Sequence, residues 1–102
     1  MEDIVIFGWF DAKDAEEFGA HLARFFMERV PLEPSNKRRN SVAKKKEVLE
    51  KMFLQVAQFR QARKLNIYKK AKLGNAFKWE LREAGYDAEF TDDLTKLLMQ
   101  QL

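Results

Sequence analysis

Apolar side chains recur at steps of three and four residues along most of this 102-residue chain. This spacing places them on one face of an α-helix, so the pattern favours helices that pack through apolar faces. Asp11 precedes the first stripe with a side chain suited to N-capping, and Pro31 cannot continue a helix. The sequence therefore predicts a first helix over residues 11–30. Its stripe consists of Ala15, Phe18, Leu22, Phe25, Phe26 and Val30.

A polar segment, residues 31–40, follows this helix and holds both prolines of the chain. Its composition (PLEPSNKRRN) is typical of a solvated connector and predicts an internal linker. Asn40 or Ser41 is expected to cap a second helix that ends near Lys64. The apolar stripe of that helix consists of Val42, Leu49, Met52, Phe53, Val56 and Phe59.

Asn66 interrupts the next stretch, which otherwise favours a helix throughout. The stretch therefore forms either two helices or one long bent helix. A third helix is expected to end at Gly85, because glycine commonly follows the last helical turn, and Asp87 then caps a fourth. The third stripe consists of Ile67, Ala71, Gly74, Phe77, Leu81 and Ala84, and the fourth of Phe90, Leu94, Leu97 and Leu98.

The four stripes together predict an all-α fold, a small bundle of about four helices in a single domain over residues 1–102. Residues 1–10 are also apolar, but they have no partner strand. They are expected to extend the first helix or to lie on the bundle as an apolar arm. Pairing across a homodimer interface is the alternative, and it would use Ile4, Phe7, Trp9 and Phe10.

Charge is distributed unevenly along the chain. Residues 37–82 hold 15 Lys and Arg against 3 Asp and Glu, whereas residues 1–36 hold 3 against 8 and residues 83–102 hold 1 against 5. A central block this basic attracts phosphates or acidic surfaces. The two acidic ends oppose that attraction if they fold back on the basic middle.

The third helix carries a second face on which aromatic, amide and basic side chains alternate. It consists of Tyr68, Lys72, Asn75, Trp79 and Arg82. Stacking by the aromatic rings and phosphate contacts by the bases are the two requirements for gripping a single-stranded nucleic acid. Burial of Tyr68 and Trp79 as ordinary core is the alternative.

Two basic clusters accompany this face. The first consists of Lys37, Arg38, Arg39, Lys44, Lys45 and Lys46, and the second of Arg60, Arg63, Lys64, Lys69 and Lys70. If both face one partner, several phosphates are neutralised together. The sequence thus predicts a non-enzymatic binding module for nucleic acid or another polyanion. An acidic protein is the other partner that fits this surface. A protein-interaction or self-association module is the alternative, and peripheral membrane contact is a third option.

Catalysis and cofactor binding are poorly supported by the residue types present. The chain has one His, no Cys and four scattered glycines, so it lacks a nucleophile motif and a phosphate-binding glycine loop. The carboxylate pairs Glu16-Glu17 and Asp92-Asp93 are expected in first helical turns, where they stabilise the helix. We therefore expect no enzyme activity, no cofactor and no metal site.

Two observations favour a cytoplasmic protein. The N-terminus shows no signal-peptide pattern, and no apolar run is long enough to span a bilayer, so the chain is expected not to be transmembrane. The block YKKAKLGNAFKW at residues 68–79, with AGYD at residues 84–87, resembles that of short uncharacterised bacterial proteins. This resemblance covers the C-terminal third and implies a small bacterial cytoplasmic protein of unassigned activity, with no site residue.

Overall fold

Four α-helices make up the part of the chain that the computed structural model describes, which is residues 2–31 and 38–102, with side chains over residues 12–31 and 45–102. They are α1 (Glu2–Arg29), α2 (Arg38–Ala62), α3 (Ile67–Glu83) and α4 (Ala88–Gln100). No strand occurs in the described residues. The predicted all-α bundle of four helices is confirmed.

The first two helices begin earlier than predicted. α1 begins at Glu2, so Asp11 lies inside the helix and is not its N-cap, and the apolar N-terminal segment extends the helix. β-Branched and aromatic residues lower helix propensity only slightly, and a helix pairs its own backbone groups where no partner strand is present. α2 begins at Arg38, ahead of the predicted caps Asn40 and Ser41.

Polar caps and one glycine set the ends of α3 and α4. The Asn66 side chain accepts a hydrogen bond from the Lys69 backbone N–H at 2.9 Å, which is the N-cap interaction. Asp87 caps α4 in the same way, because its carboxylate accepts from the Phe90 N–H at 3.1 Å. Gly85 follows α3 with a φ of 98°, a backbone angle that residues other than glycine rarely adopt. α2 and α3 are therefore separate helices, and the alternative of one bent helix is wrong.

α1 and α3 form the most extensive helix pair of the bundle. They cross at Gly19, where an added Cβ atom would lie against the Leu73 carbonyl group, 3.0 Å from its carbon, and 3.2 Å from the Ala76 Cβ. Further along, an Arg24 guanidinium nitrogen lies 3.7 Å from a Glu80 carboxylate oxygen. Because residue numbers rise together along both helices, α1 and α3 run parallel.

α2 returns antiparallel along α1. The rings of Phe18 and Phe59 stack with centroids 4.2 Å apart, and His21 shares a 3.0 Å hydrogen bond with Gln55. Residue numbers therefore fall along α2 as they rise along α1. The packing of α2 on α1 is thus mainly aromatic and apolar, with polar contacts at its edge.

α4 packs antiparallel on α3. The Lys78 ammonium group lies 3.1 Å from an Asp92 carboxylate oxygen, and the Met99 side chain lies over Gly74. α2 and α4 therefore both run opposite to the central pair of α1 and α3.

The core lies between the four helices and differs in part from the predicted stripes. Its largest fully buried apolar side chains are Phe26, Phe77, Leu22, Met52, Leu73, Leu81, Leu98 and Val56. Ile67, Ala71, Ala84 and Leu97 are exposed, although they belong to the predicted stripes. Leu73 and Val48 are buried but were not predicted. The difference on α3 arises because the crossing at Gly19 turns the Leu73 side of the helix toward α1.

We expect Gly19→Ala to destabilise the fold by about 3 kcal/mol, because the new methyl group meets backbone atoms of Leu73 that cannot rotate away. Gly74→Ala is the matched control. Its Cβ meets the flexible Met99 side chain, with the sulfur 2.6 Å away, and alanine favours a helix by about 1 kcal/mol. Its free energy of unfolding should therefore stay within about 1 kcal/mol of the parent's. Urea denaturation measures both, and equal effects would contradict a backbone contact at Gly19.

Tyr86 connects the start of α4 to the end of α1. Its side chain is buried, and its hydroxyl donates a 2.6 Å hydrogen bond to the Val30 carbonyl oxygen. This carbonyl follows the last turn of α1, where carbonyl groups lack helical partners. Burial raises the pKa of the Tyr86 hydroxyl above its ordinary value of 10.0.

The raised pKa of Tyr86 predicts a stability change at alkaline pH. The folded state holds this proton more tightly than the unfolded chain, so the stabilisation is fully present below pH 10.0 and is lost as the pH rises through the folded-state pKa. Tyr86→Phe removes the hydrogen bond and should cost about 1 kcal/mol at neutral pH. Urea denaturation from neutral pH to above pH 10 measures both effects. The parent should lose more stability than the variant over that range, and parallel losses would contradict the assignment.

Candidate functional site

The alternating face predicted on α3 points away from the core. Tyr68 is 57% exposed and Trp79 is 60% exposed, and the alternative that these two rings are ordinary core is therefore wrong. Asn75 and Arg82 are exposed and Lys72 is half-buried. The reason is geometric, since this face lies on the opposite side of α3 from its buried side chains.

A basic surface forms where α2 ends and α3 begins. Residues 60–72 hold six Lys and Arg and no Asp or Glu. The short connection between the two helices gathers these side chains at one end of the bundle. We call this surface the basic corner, and its bases are Arg60, Arg63, Lys64, Lys69, Lys70 and Lys72.

Two arginines of the basic corner make polar contacts with α1 and with the end of α4. Arg63 forms an ion pair with Asp14 of α1, and Arg60 donates a 3.0 Å hydrogen bond to the Gln101 carbonyl oxygen at the end of α4. An arginine near the C-terminus of a helix also offsets the negative end of the helix dipole. These two side chains are therefore already engaged within the structure.

The lysines of the basic corner are exposed or half-buried. The Lys69 ammonium group donates to the Lys64 carbonyl oxygen at 3.3 Å. Lys64 is exposed and Lys70 is half-buried, and neither forms an ion pair with any residue that the structure describes. Among the described residues, the corner thus has more bases than carboxylates in contact with them.

Tyr68 places an aromatic ring among these lysines. The Lys72 ammonium nitrogen lies 5.7 Å from the centroid of the Tyr68 ring, within the range of a cation–π contact. Ile67, beside it in the first turn of α3, is 86% exposed. The N-terminus of α3 also contributes the positive end of its dipole. This arrangement can stack a planar ring and hold an anionic group next to it.

Trp79 belongs to a different surface from Tyr68. It lines a groove of about 710 Å³ between α1 and α3, which we call the α1–α3 groove. Tyr68 and Trp79 are 11 positions apart on one helix, about 16 Å along its axis. The groove residues are Glu16, Glu17, Ala20, Arg24, Lys72, Asn75, Ala76, Trp79, Glu80 and Glu83.

The α1–α3 groove has four carboxylates against two bases. The single face predicted on α3 is therefore divided into a basic end at Tyr68 and Lys72 and an acidic groove at Asn75 and Trp79. Arg82 does not line the groove. The groove could not be predicted from the pattern of α3 alone, because half of its carboxylates come from α1.

The prediction that the acid pair Glu16-Glu17 lies in a first helical turn is wrong. It lies in the middle of α1 and not in a first turn, because α1 begins at Glu2. Its carboxylates are therefore too far from the helix N-terminus to be stabilised by the dipole, which acts mainly within the first turn. No local sequence pattern marks this pair as part of a groove, since the α3 residues that line the other side of the groove are more than 50 positions away in the chain.

Several predicted side chains lie outside the part that the structure describes. They are Ile4, Phe7, Trp9, Phe10, Lys37, Arg38, Arg39 and Lys44. Lys45 is described, and its ammonium nitrogen lies 5.0 Å from the centroid of the Phe90 ring. It is 15 positions before Arg60 on α2, about 22 Å along the helix axis. Lys45 is thus not part of the basic corner.

Among the residues that the structure describes, no group of three His, Asp or Glu side chains is arranged to hold a metal ion. None of the helices, over the same residues, combines the length and apolar character that crossing a membrane requires. His21, the histidine of the chain, is hydrogen-bonded to Gln55.

Comparison of the chain with protein-family models, with curated proteins and with solved structures found no match. The resemblance of residues 68–79 to short bacterial proteins stays a prediction. Support for a function therefore comes from the two surfaces, the basic corner and the α1–α3 groove.

Proposed function

We propose that this chain is a non-enzymatic binding module that contacts nucleic acid, or a similar polyanion, through the basic corner. The observation that carries the proposal is the exposed ring of Tyr68 among lysines at the N-terminus of α3. Ring stacking and phosphate contacts need an aromatic face and cations within one nucleotide of each other. The basic corner supplies both.

Among the described residues, the nearby carboxylate of Asp14 does not cancel this surface. Asp14 is paired with Arg63, so it does not present an unneutralised carboxylate to a ligand. Besides Lys69, which is already engaged, the corner has three lysines, namely Lys64, Lys70 and Lys72. Contacts of this kind supply affinity with little sequence preference, since phosphates carry no base identity.

A single strand fits this surface better than a duplex. Tyr68 can stack only on a base that is not already stacked between neighbours. A duplex offers phosphates to the lysines but no accessible base face. We therefore infer that single-stranded RNA or DNA binds more tightly than duplex DNA of the same length.

Removing two lysines of the corner should reduce the salt dependence of binding. Three phosphate contacts predict a slope of about −2 for the logarithm of the binding constant against that of salt concentration, with a single strand. Lys64→Ala/Lys70→Ala should reduce the slope to about −0.7. Fluorescence anisotropy with labelled single-stranded RNA at several salt concentrations measures both slopes.

The matched control removes two exposed lysines outside the corner, one in α2 and one in α4. Lys46→Ala/Lys96→Ala makes the same change in net charge and should leave the slope near that of the parent. A larger loss in this control than in the corner variant would place the contact outside the corner. No binding at low salt in the parent would contradict the proposal altogether.

Tyr68→Ala should weaken binding of single-stranded RNA about ten-fold, because one stacked base contributes roughly 1–3 kcal/mol. Tyr68→Phe keeps the ring and should retain the parent affinity. Since the side chain is largely exposed, neither substitution should change the thermal midpoint appreciably. Anisotropy and circular dichroism measure the two properties. Equal loss in both variants would point to the hydroxyl group and away from stacking.

A further inference from the structure

The α1–α3 groove is lined mainly by polar side chains, with two alanines between them. Ala20 and Ala76 are half-buried and form the floor, near the crossing of the two helices at Gly19. The α3 wall runs from Lys72 to Glu83, about 16 Å along the helix axis. A trough of this length holds about five residues of extended peptide.

The charge of this groove is opposite to that of the basic corner. Arg24 is engaged with Glu80 at 3.7 Å, and the Lys72 ammonium group lies over the Tyr68 ring. The other three carboxylates of the groove form no ion pair with any described residue. They are Glu16, Glu17 and Glu83. The groove therefore repels phosphates and attracts cations.

Trp79 supplies the second feature of the groove. Its indole is 60% exposed and lies in the same wall as Glu83. A large exposed aromatic ring is a common centre of protein-protein contact. Tryptophan is also the side chain whose face attracts a Lys or Arg cation most strongly.

We propose that the α1–α3 groove docks a short basic segment of a partner protein, with a Lys or Arg side chain over the Trp79 indole. Further cations of the segment contact Glu16 and Glu17 on one wall and Glu83 on the other. Charge complementarity decides the class of occupant, because three unneutralised carboxylates exclude an acidic segment. An aliphatic segment would leave these carboxylates partly desolvated without partners.

This docking is independent of the polyanion proposal. The two surfaces share Lys72, but otherwise they consist of different residues of opposite charge, and Tyr68 and Trp79 are about 16 Å apart along α3. A basic segment near Trp79 and an anion near Tyr68 can therefore be bound together. Loss of one interaction does not imply loss of the other.

Fluorescence anisotropy of a labelled hexa-arginine peptide, titrated with the full chain, tests the docking. Saturable binding is expected at low salt, with unlabelled hexa-arginine competing and hexa-glutamine failing to compete. Trp79→Leu should weaken binding about five-fold or more, because leucine keeps apolar contact but has no ring face for the cation. Glu16→Gln/Glu17→Gln should weaken it to a similar extent.

Glu50→Gln/Asp93→Asn is the matched control, since it removes two exposed carboxylates outside the groove lining. Its affinity for hexa-arginine should stay within about two-fold of the parent's, after allowance for long-range charge. An equal loss in this control, or no binding by the parent, overturns the proposal. So does a parent that self-associates in sedimentation experiments and becomes monomeric with Glu16→Gln/Glu17→Gln, because the occupant is then a second copy. Binding of single-stranded RNA by the groove variants should remain undiminished, which separates this test from that of the basic corner.

Discussion

The close approach of α1 and α3 at Gly19 is the contact on which the rest of the bundle depends. With no side chain at this position, the α1 backbone rests against the Leu73 carbonyl group of α3. The two helices can then run parallel over most of α3, while α2 and α4 pack antiparallel beside them. A side chain at the crossing would push the helices apart and open the core around Leu22 and Phe77. The floor of the α1–α3 groove results from the same contact.

Two described carboxylates of the acidic ends meet the basic middle of the chain at separate points. Asp14 pairs with Arg63, and Asp92 lies 3.1 Å from the Lys78 ammonium group. Both pairs are partly exposed, so each contributes at most about 1 kcal/mol to stability. Their larger effect is on where charge remains. The lysines of the basic corner keep a positive surface at one end of α3, while the α1–α3 groove keeps a negative one farther along the helix.

Much of the architecture followed from the sequence because its determinants are local. Asn66 and Asp87 each cap a helix through an N–H only three residues ahead, and glycine at position 85 allows the positive φ that follows α3. The predicted start of α1 was wrong because Asp11 has a side chain suited to N-capping, whereas the helix begins earlier and continues through it. The placement of Ile67 in the apolar stripe was also wrong, since periodicity alone does not show which side of α3 faces α1.

The sequence by itself determined the helical class, the breaks between the later helices and the presence of a basic, aromatic face on α3. These properties depend on interactions between residues about four positions apart or less. Such interactions are the same however the helices pack against one another. Only the tertiary structure decided that this face is divided, because Glu16 and Glu17 line one groove with Trp79 only when α1 and α3 lie side by side. The charge near a residue is set by whatever packs within a Debye length of it, and that distance spans helices far apart in the chain.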